Sequence, residues 1–165
     1  MPKTSTTTSV WRSGGGDDTK TTYAGSMLMV ADFYIPSIIA ANTTAVHRSA
    51  SDNRSVLLPV GAVVVEIQVS TTASGGSSPT IDMGWIGHAD PTAVDVDGLI
   101  AEGVATTGKL SYTWATATAG DDMGAVMSST QIVKITGGVG ASSAVSGTAT
   151  GRILYYVPTD GAYTS

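Results

Sequence analysis

The stretch LLPVGAVVVEIQVSTTA, residues 57–73, carries the clearest secondary-structure signal in the chain. Apolar or β-branched side chains occupy every second position of its central part, at Val63, Val65, Ile67, Val69 and Thr71. Successive side chains of a β-strand point to opposite faces, so a period of two predicts a strand with one buried face. The polar residues Glu66 and Gln68 lie between the apolar positions and are predicted to face solvent.

The residues that follow predict a partner for this strand. ASGGSSP, residues 73–79, is rich in turn-forming residues, and after it Ile81, Met83 and Trp85 alternate with polar or small residues. Two alternating runs joined by a turn are typical of a β-hairpin. We therefore predict a hairpin over residues 62–86, with both strands burying their apolar side chains in the same core.

Further segments show the same signal or a weaker one. Residues 27–35 place apolar side chains at alternate positions before Pro36, and residues 131–138 and 147–159 read as two later strands. The alternation over residues 111–130 is weaker. Two segments are interpreted otherwise: residues 92–101 as a single helical turn, and GGVG at 137–140 as a flexible hairpin loop.

Composition agrees with an all-β chain. Hydrophobic residues make up 42% of the sequence and charged residues 13%, which is too apolar for disorder throughout. Short strands at regular spacing with Gly-rich turns and no amphipathic helix favour an antiparallel β-sandwich or a jelly roll. We predict one such domain over residues 26–165, preceded by an extended N-terminal arm over residues 1–25.

The charge balance argues against two classes of partner. With 8 basic and 13 acidic residues the net charge is −5, so no broad basic surface is expected for nucleic acid. The most apolar run, residues 27–41, is short and is interrupted by Asp32 and Pro36, so no membrane span is expected. We expect a protein made in the host cytoplasm.

The N-terminal arm contains one apolar pair in a Thr-, Ser- and Gly-rich stretch. Val10 and Trp11 are followed by Arg12, and we identify these three residues as candidate partner-binding residues. The alternative is a tail without a function. An extended arm of this length could reach some tens of ångströms to a neighbouring subunit.

One stretch, HADPTAVDVDGL at residues 88–99, suggests a metal site. A helix-loop-helix calcium site needs oxygen ligands at both ends of a twelve-residue loop, but Ala93 and Val104 occupy those ends when Gly98 is sixth. Asp90, Asp95 and Asp97 could still hold a cation in another geometry, or they could serve only to begin and end turns. The turn interpretation is favoured, and no metal or cofactor is expected.

Catalytic chemistry also lacks a recognisable arrangement. The chain has no cysteine, and its histidines, His47 and His88, stand apart in polar contexts. No serine lies in a nucleophile-elbow motif, so no catalytic residue is assigned and an enzyme is not expected.

Aromatic residues suggest a different kind of site. Trp85 falls in phase with Ile81 and Met83, which indicates core packing. Tyr112 and Trp114 share one face of their segment and could stack against a sugar, so a carbohydrate-binding face stays open as an alternative.

Residues 57–103 resemble a group of tailed-bacteriophage virion proteins. Their shared pattern runs from an LPxGA strand entry through a TT-rich turn and a TIDxG strand to an acidic loop. The matching residues here are Leu58-Pro59, Gly61-Ala62, Thr71-Thr72, Ile81-Asp82, Gly84, Ala89-Asp90-Pro91, Asp97-Gly98 and Ala101. The resemblance implies a non-enzymatic, β-rich structural component of the virion and supplies no catalytic residues.

Among such components, the resemblance favours a capsid decoration, or cement, protein. Such a protein would bind the major capsid protein on the surface of the virion, most simply as a trimer at lattice three-fold points. The main alternative is a receptor- or carbohydrate-binding module of a head fibre or tail, and a structural role in the neck or tail is a third.

Overall fold

The computed structural model of the protein describes residues 27–36, 45–72, 80–104, 108–116, 118–139 and 147–158. Within this part of the chain the fold is all-β and contains no helix, as the sequence predicts. The predicted arm, residues 1–25, lies outside the described residues, and so do its candidate partner-binding residues Val10, Trp11 and Arg12.

Ten strands are formed by the described residues. They are β1 (Met29–Ile35), β2 (His47–Ser49), β3 (Asp52–Ser55), β4 (Leu57–Leu58), β5 (Val63–Thr71), β6 (Thr80–Gly87), β7 (Val94–Val104), β8 (Gly108–Thr113), β9 (Val133–Val139) and β10 (Ala149–Tyr156).

The strands form two sheets. Six strands lie in the order β3-β2-β1-β10-β5-β8, and four in the order β4-β9-β6-β7, with antiparallel pairing throughout. Apolar side chains from both sheets form one buried cluster, which includes Phe33, Ile67 and Ile153 from the first sheet and Met83 and Ile135 from the second. This arrangement is the predicted antiparallel β-sandwich.

The predicted burial pattern of β5 is confirmed for most of its length. Ile67 and Val69 are buried and Gln68 is exposed. The pattern changes at Val65, because the pairing with β10 shifts there and leaves this residue without a partner in the register. A β-bulge of this kind moves side chains to the other face, and Val64 is accordingly fully buried while Val65 is only half-buried.

The predicted hairpin over residues 62–86 is wrong, because its two strands lie in different sheets. β5 pairs with β10 and β8, whereas β6 pairs with β9 and β7. The predicted core positions are nevertheless correct, since Ile81 and Met83 are buried and Trp85 packs against the same core. The predicted solvent face is wrong at Asp82 and Gly84, which are also buried. Alternation reports which face is buried; it does not report which strand lies alongside.

Two smaller interpretations are also wrong. Residues 92–101, expected to form a helical turn, lie mostly in β7. GGVG, expected to be a loop, supplies Gly137 and Gly138 to β9, where they pair with β6. A Cβ on Gly137 would lie 2.9 Å from Ile35 Cδ1 and 3.1 Å from Val46 Cγ1, so close packing of the core accounts for this glycine.

The chain passes between the sheets just before β2. The amide of Val46 donates to the carbonyl of Ile135 in β9, and the next residue, His47, already pairs with Tyr34 of β1. The β2–β3 hairpin therefore extends the six-stranded sheet beyond β1. This placement brings Arg48 beside the outer face of that sheet.

A segment between β8 and β9 joins the two sheets at another edge. The amide of Gly120 donates to the carbonyl of Leu99 in β7, while the amides of Gly124 and Met127 donate to the carbonyls of Val64 and Ala62. The segment therefore lies between β7 and the beginning of β5, and it holds Asp121 and Asp122 beside β7.

Candidate functional site: an acidic face and a basic groove

The sequence DVDG, residues 95–98, forms part of a wide bulge in β7. Met83 of β6 pairs with Ile100 and Trp85 pairs with Asp95, so the single residue Gly84 stands opposite residues 96–99. The extra residues are pushed out of the regular ladder. The acidic tetrad of the sequence is thus a bulge within a strand, and the predicted turn ending at Asp97-Gly98 is replaced by this bulge.

Glycines on two sides make room for the bulge. A Cβ on Gly84 would lie 2.0 Å from the carbonyl oxygen of Asp95, and a Cβ on Gly120 would lie 2.2 Å from that of Asp97. No side chain fits at such distances, so both positions require glycine. The bulge is held between β6 and the segment that joins the sheets.

A second irregularity in β7 is stabilised by Asp82. Ile81 pairs with Gly103 and Met83 with Ile100, which leaves one more residue on β7 than on β6. Glu102 has a positive φ of 53° there, and its amide donates to Asp82 Oδ1 at 2.7 Å. The buried carboxylate of Asp82 therefore has a structural role, because it accepts a backbone N–H that the irregular ladder does not pair.

Four carboxylates gather around the first bulge, and we call Asp95, Asp97, Asp121 and Asp122 the acidic face. A Cβ placed on Gly98 would lie 2.8 Å from Asp122 Oδ2 and 2.9 Å from Asp95 Oδ2, so these two carboxylates flank the same glycine. The indole N–H of Trp85 donates to Asp122 Oδ2 at 2.6 Å. This bond fixes the carboxylate of Asp122 toward the core, while Asp97 and Asp121 are exposed.

Burial and the crowding of like charges raise the pKa values of two of these carboxylates. Partial burial raises the pKa of Asp122, and the nearby carboxylates of Asp95 and Asp121 raise it further, although the hydrogen bond from Trp85 opposes the rise. The pKa of Asp97 is also raised, by desolvation and then by Asp95. Negative charge at this face is therefore not compensated within the described part of the chain.

Asp122→Asn should make the fold more stable at neutral pH. Because the pKa of Asp122 is raised in the folded state, folding favours the protonated carboxyl, and stability is lost as the pH rises through that pKa. The amide oxygen of Asn can still accept the indole N–H of Trp85. Urea titrations should show an advantage for the variant at pH 7 that vanishes below the ordinary pKa of 3.8.

Asp121→Asn is the matched control, because it removes the same charge from the exposed neighbour and leaves the indole bond in place. If Asp122→Asn were less stable than the wild type at pH 7, the hydrogen bond from the Trp85 indole to the ionised carboxylate would outweigh the repulsion from Asp95 and Asp121.

The predicted turn at Asp90 is confirmed. Asp90 Oδ1 accepts hydrogen bonds from the amide and the hydroxyl of Thr92, at 3.0 and 2.6 Å. Asp95 Oδ1 similarly accepts the amide of Asp97 at 3.3 Å. Such side-chain-to-backbone bonds occupy carboxylate oxygens that a metal would need. Among the described residues, no group of three or more His, Asp or Glu side chains has a geometry that could hold a metal ion.

The aromatic pair considered for sugar binding is separated by the fold. Tyr112 lies within β8 and is buried in the core, whereas Trp114 follows the end of that strand and is 74% exposed. Alternation does not continue past the strand, so the two rings do not share a face. The Cβ of Trp114 instead lies 3.5 Å from the position of a Cβ on Gly124, in the segment between β8 and β9.

A basic groove crosses the outer face of the six-stranded sheet and has a volume of about 740 Å³. The pairing register places Arg152 of β10 between Asp32 of β1 and Gln68 of β5, and Lys109 of β8 lies opposite Ser70. Arg48 approaches from the β2–β3 hairpin. We define Arg48, Lys109 and Arg152 as the basic groove; all three are exposed.

Sequence reasoning identified only part of these surfaces. Asp95 and Asp97 were candidates because they are adjacent in sequence, but Asp121 and Asp122 join them only through the segment between β8 and β9. The three cations of the basic groove come from three distant strands and have no spacing signal. Within the residues that the structure describes, no helix has the length and apolarity needed to span a membrane.

Comparisons with known proteins add little to this geometry. Neither the protein-family models nor the curated proteins contain a match to the chain. Among solved structures, the chain is similar to one in "Cyanophage Pam1 capsid asymmetric unit", with 20% sequence identity, coverage of 81% of this chain and 87% of the other, and a TM-score of 0.33.

Proposed function

We propose that this protein is a non-enzymatic capsid decoration, or cement, protein of a tailed bacteriophage. The observation that carries the proposal is where the virion-protein motif falls in the fold. Its TIDxG and DG elements supply Asp82, Gly84 and Gly98, the residues around which the two irregularities of β7 are built. The residues that carry the resemblance are therefore those that shape this strand pair.

The strand order supports the same proposal. β1 pairs with β10, β4 with β9, β5 with β8 and β6 with β7, so the pairs are nested as in a long hairpin rolled around a core. We infer that the domain is a jelly roll in which the β2–β3 hairpin is an addition. Jelly rolls recur in viral capsid proteins, and also in lectins.

An exposed apolar surface is available for contact with the capsid. Met27, Leu28, Val30 and Leu57 are each at least 43% exposed. Val30 and Leu57 line a second groove, of about 610 Å³, and Met27 is where the predicted arm joins the domain. We propose that this surface, together with Val10, Trp11 and Arg12 of the arm, binds the major capsid protein or a sister subunit in a trimer.

Binding of this kind would stabilise the shell by mass action. A protein that binds the assembled lattice and not its separated subunits lowers the free energy of the lattice, by an amount that grows with the protein's concentration relative to its dissociation constant. No chemical step is required, and the location would be the outer surface of the virion.

The alternative, a receptor- or carbohydrate-binding module, has less support. It depended on Tyr112 and Trp114 acting together, and Tyr112 is buried. Trp114 alone could stack against one sugar ring, but an extended binding platform needs further exposed aromatic residues.

The proposal predicts specific binding to capsids. Purified protein should co-sediment with capsids of the parent phage that lack it, should raise their melting temperature, and should appear on the outer surface in cryo-electron microscopy. A variant lacking residues 2–24 should fold normally but show lower occupancy, because it lacks the apolar pair of the arm.

The control is the same sedimentation with unassembled major capsid protein, to which weaker binding is expected. Absence of binding to intact capsids would refute the proposal. Equal occupancy by the truncated variant would leave the decoration role standing and remove the role of the arm. Binding to a glycan array without capsid binding would favour the alternative.

A further inference from the structure

We propose that the basic groove of one copy binds the acidic face of a second copy, so that the protein associates head to tail. The proposal concerns association between copies of this chain in solution. It does not depend on the capsid role proposed above.

The groove offers positive charge without partners. Among the described residues, the one ion pair within 4 Å joins Arg54 and Asp52, outside the groove. Arg152 lies opposite Asp32 in the register of β1 and β10, yet the two form no ion pair. Asp32 is the acidic residue that lines the groove, and Arg48 and Lys109 likewise form no ion pair within 4 Å; all three cations are exposed. These cations are available to a carboxylate brought by another molecule.

The acidic face offers the complementary charge. Four carboxylates lie around one bulge, two of them exposed at Asp97 and Asp121. Trp114 is 74% exposed and lies near Gly124, in the same segment as Asp121. Arginine, tryptophan and tyrosine are enriched among the residues that contribute most to protein–protein binding energy, and a guanidinium can bind a carboxylate through two parallel hydrogen bonds. A neighbouring Arg152 or Arg48 would find exposed carboxylates here.

The two surfaces belong to different sheets of the same sandwich. The groove lies on the outer face of the six-stranded sheet, and the acidic face lies on β7 and the segment packed beside it, at the edge of the four-stranded sheet. Two unlike surfaces on one molecule produce a heterologous contact, which forms closed rings or open chains. A three-membered ring would be the trimer expected of a decoration protein.

The distribution of charge also indicates that a second copy of the chain binds the basic groove. The chain carries a net charge of −5, so unoriented copies repel one another. Seven of the ten described acidic residues lie on β6, on β7, in the turn between them or in the segment between β8 and β9, whereas Arg48, Lys109 and Arg152 lie on strands of the other sheet. Contact between the groove of one copy and the acidic face of another turns this separation into attraction, and it would also relieve the repulsion within the acidic face.

The test is a charge-reversal experiment in two parts. Lys109→Glu/Arg152→Glu reverses the groove, and Asp97→Lys/Asp121→Lys reverses the acidic face; all four side chains are exposed, so both variants should fold. In sedimentation velocity at low salt the wild type should form oligomers that salt dissociates. Each variant alone should be monomeric, and an equimolar mixture of the two should associate again.

A single substitution supplies the matched control. Lys134→Glu changes the charge as much as Arg152→Glu does, but Lys134 is on β9, outside the groove. The control should associate like the wild type, whereas Arg152→Glu should raise the dissociation constant at least tenfold. Equal weakening by both would refute the proposal, as would a wild type that stays monomeric at low salt or a mixture of reversed variants that does not associate.

A second measurement uses the unmodified protein. A carbodiimide joins a lysine to a carboxylate only where the two are in contact, so cross-linking a mixture of ¹⁵N-labelled and unlabelled copies should join Lys109 of one copy to Asp97 or Asp121 of another. An intermolecular link from Lys109 to other acidic residues only would refute the proposed orientation. Capsid binding is measured separately, so failure of either proposal leaves the other testable.

Discussion

Replacing Ile67 by alanine should lower the free energy of unfolding by about 2–5 kcal/mol. Ile67 is fully buried at the centre of β5, where it pairs with Ile153 of β10 on one side and with Tyr112 of β8 on the other. Truncation removes apolar contacts and leaves a cavity that strands paired on both sides cannot close easily. Urea unfolding with circular dichroism measures the loss.

The neighbouring Gln68→Ala variant is the control. Gln68 is exposed, and its amide nitrogen donates to Glu66 Oε1 at 3.0 Å. Substitutions at exposed positions usually change stability by less than about 0.5 kcal/mol. Equal losses at the two positions would contradict the burial pattern on which the sandwich depends.

Gly84→Ala should also lower the free energy of unfolding strongly. Ile67→Ala leaves a cavity, whereas Gly84→Ala adds an atom where the space is already filled. The added Cβ would stand 2.0 Å from the carbonyl oxygen of Asp95 and 2.5 Å from the carbonyl carbon of Val96. Both obstacles are backbone atoms, so the bulge itself must move. Overpacking of this kind typically costs about 1–3 kcal/mol and sometimes more, and we expect the upper end because Gly120 confines the bulge on its other side.

Gly108→Ala separates crowding from backbone strain. Gly108 has a φ of +146°, which disfavours other residues, but a Cβ there would meet no atom within 4 Å. Thermal unfolding should therefore show a smaller loss for Gly108→Ala than for Gly84→Ala. The reverse order would mean that the bulge yields readily and that Gly84 is not needed to hold it.

The Gly84 variant also connects the fold to the proposed association. If its bulge shifts while the domain stays folded, Asp95 and Asp97 move relative to Asp121 and Asp122, which are held by the segment between β8 and β9. Head-to-tail binding should then weaken although no charge has been changed. Binding of the same strength would indicate that total charge, and not the shape of the acidic face, determines the contact.

The pKa values of the acidic face predict how association between copies depends on pH. Asp97 and Asp122 have raised pKa values, so mild acid begins to neutralise the acidic face at a higher pH than it would ordinary carboxylates. The three cations of the basic groove keep their charge in that range. Association should therefore weaken as the pH falls, even while loss of the internal repulsion makes each folded domain more stable.

Local patterns in the sequence were sufficient for the fold class. The side-chain period of a strand is two, so alternation around Ile67 and around Met83 showed that these segments are strands and which faces they bury. Asp90-Pro91 similarly indicated a turn, because a short carboxylate can accept the backbone N–H two residues later. Each of these properties depends on neighbours in sequence and on burial alone.

Only the tertiary structure decided the pairing of the strands and the composition of the charged surfaces. Alternation is the same whichever strand lies alongside, so it could not reveal that β5 and β6 belong to different sheets. A bulge is set by the partner strand, and the one at DVDG became visible only when Gly84 was found opposite it. Arg48, Lys109 and Arg152 come from separate strands, and long-range strand pairing alone brings their charges together.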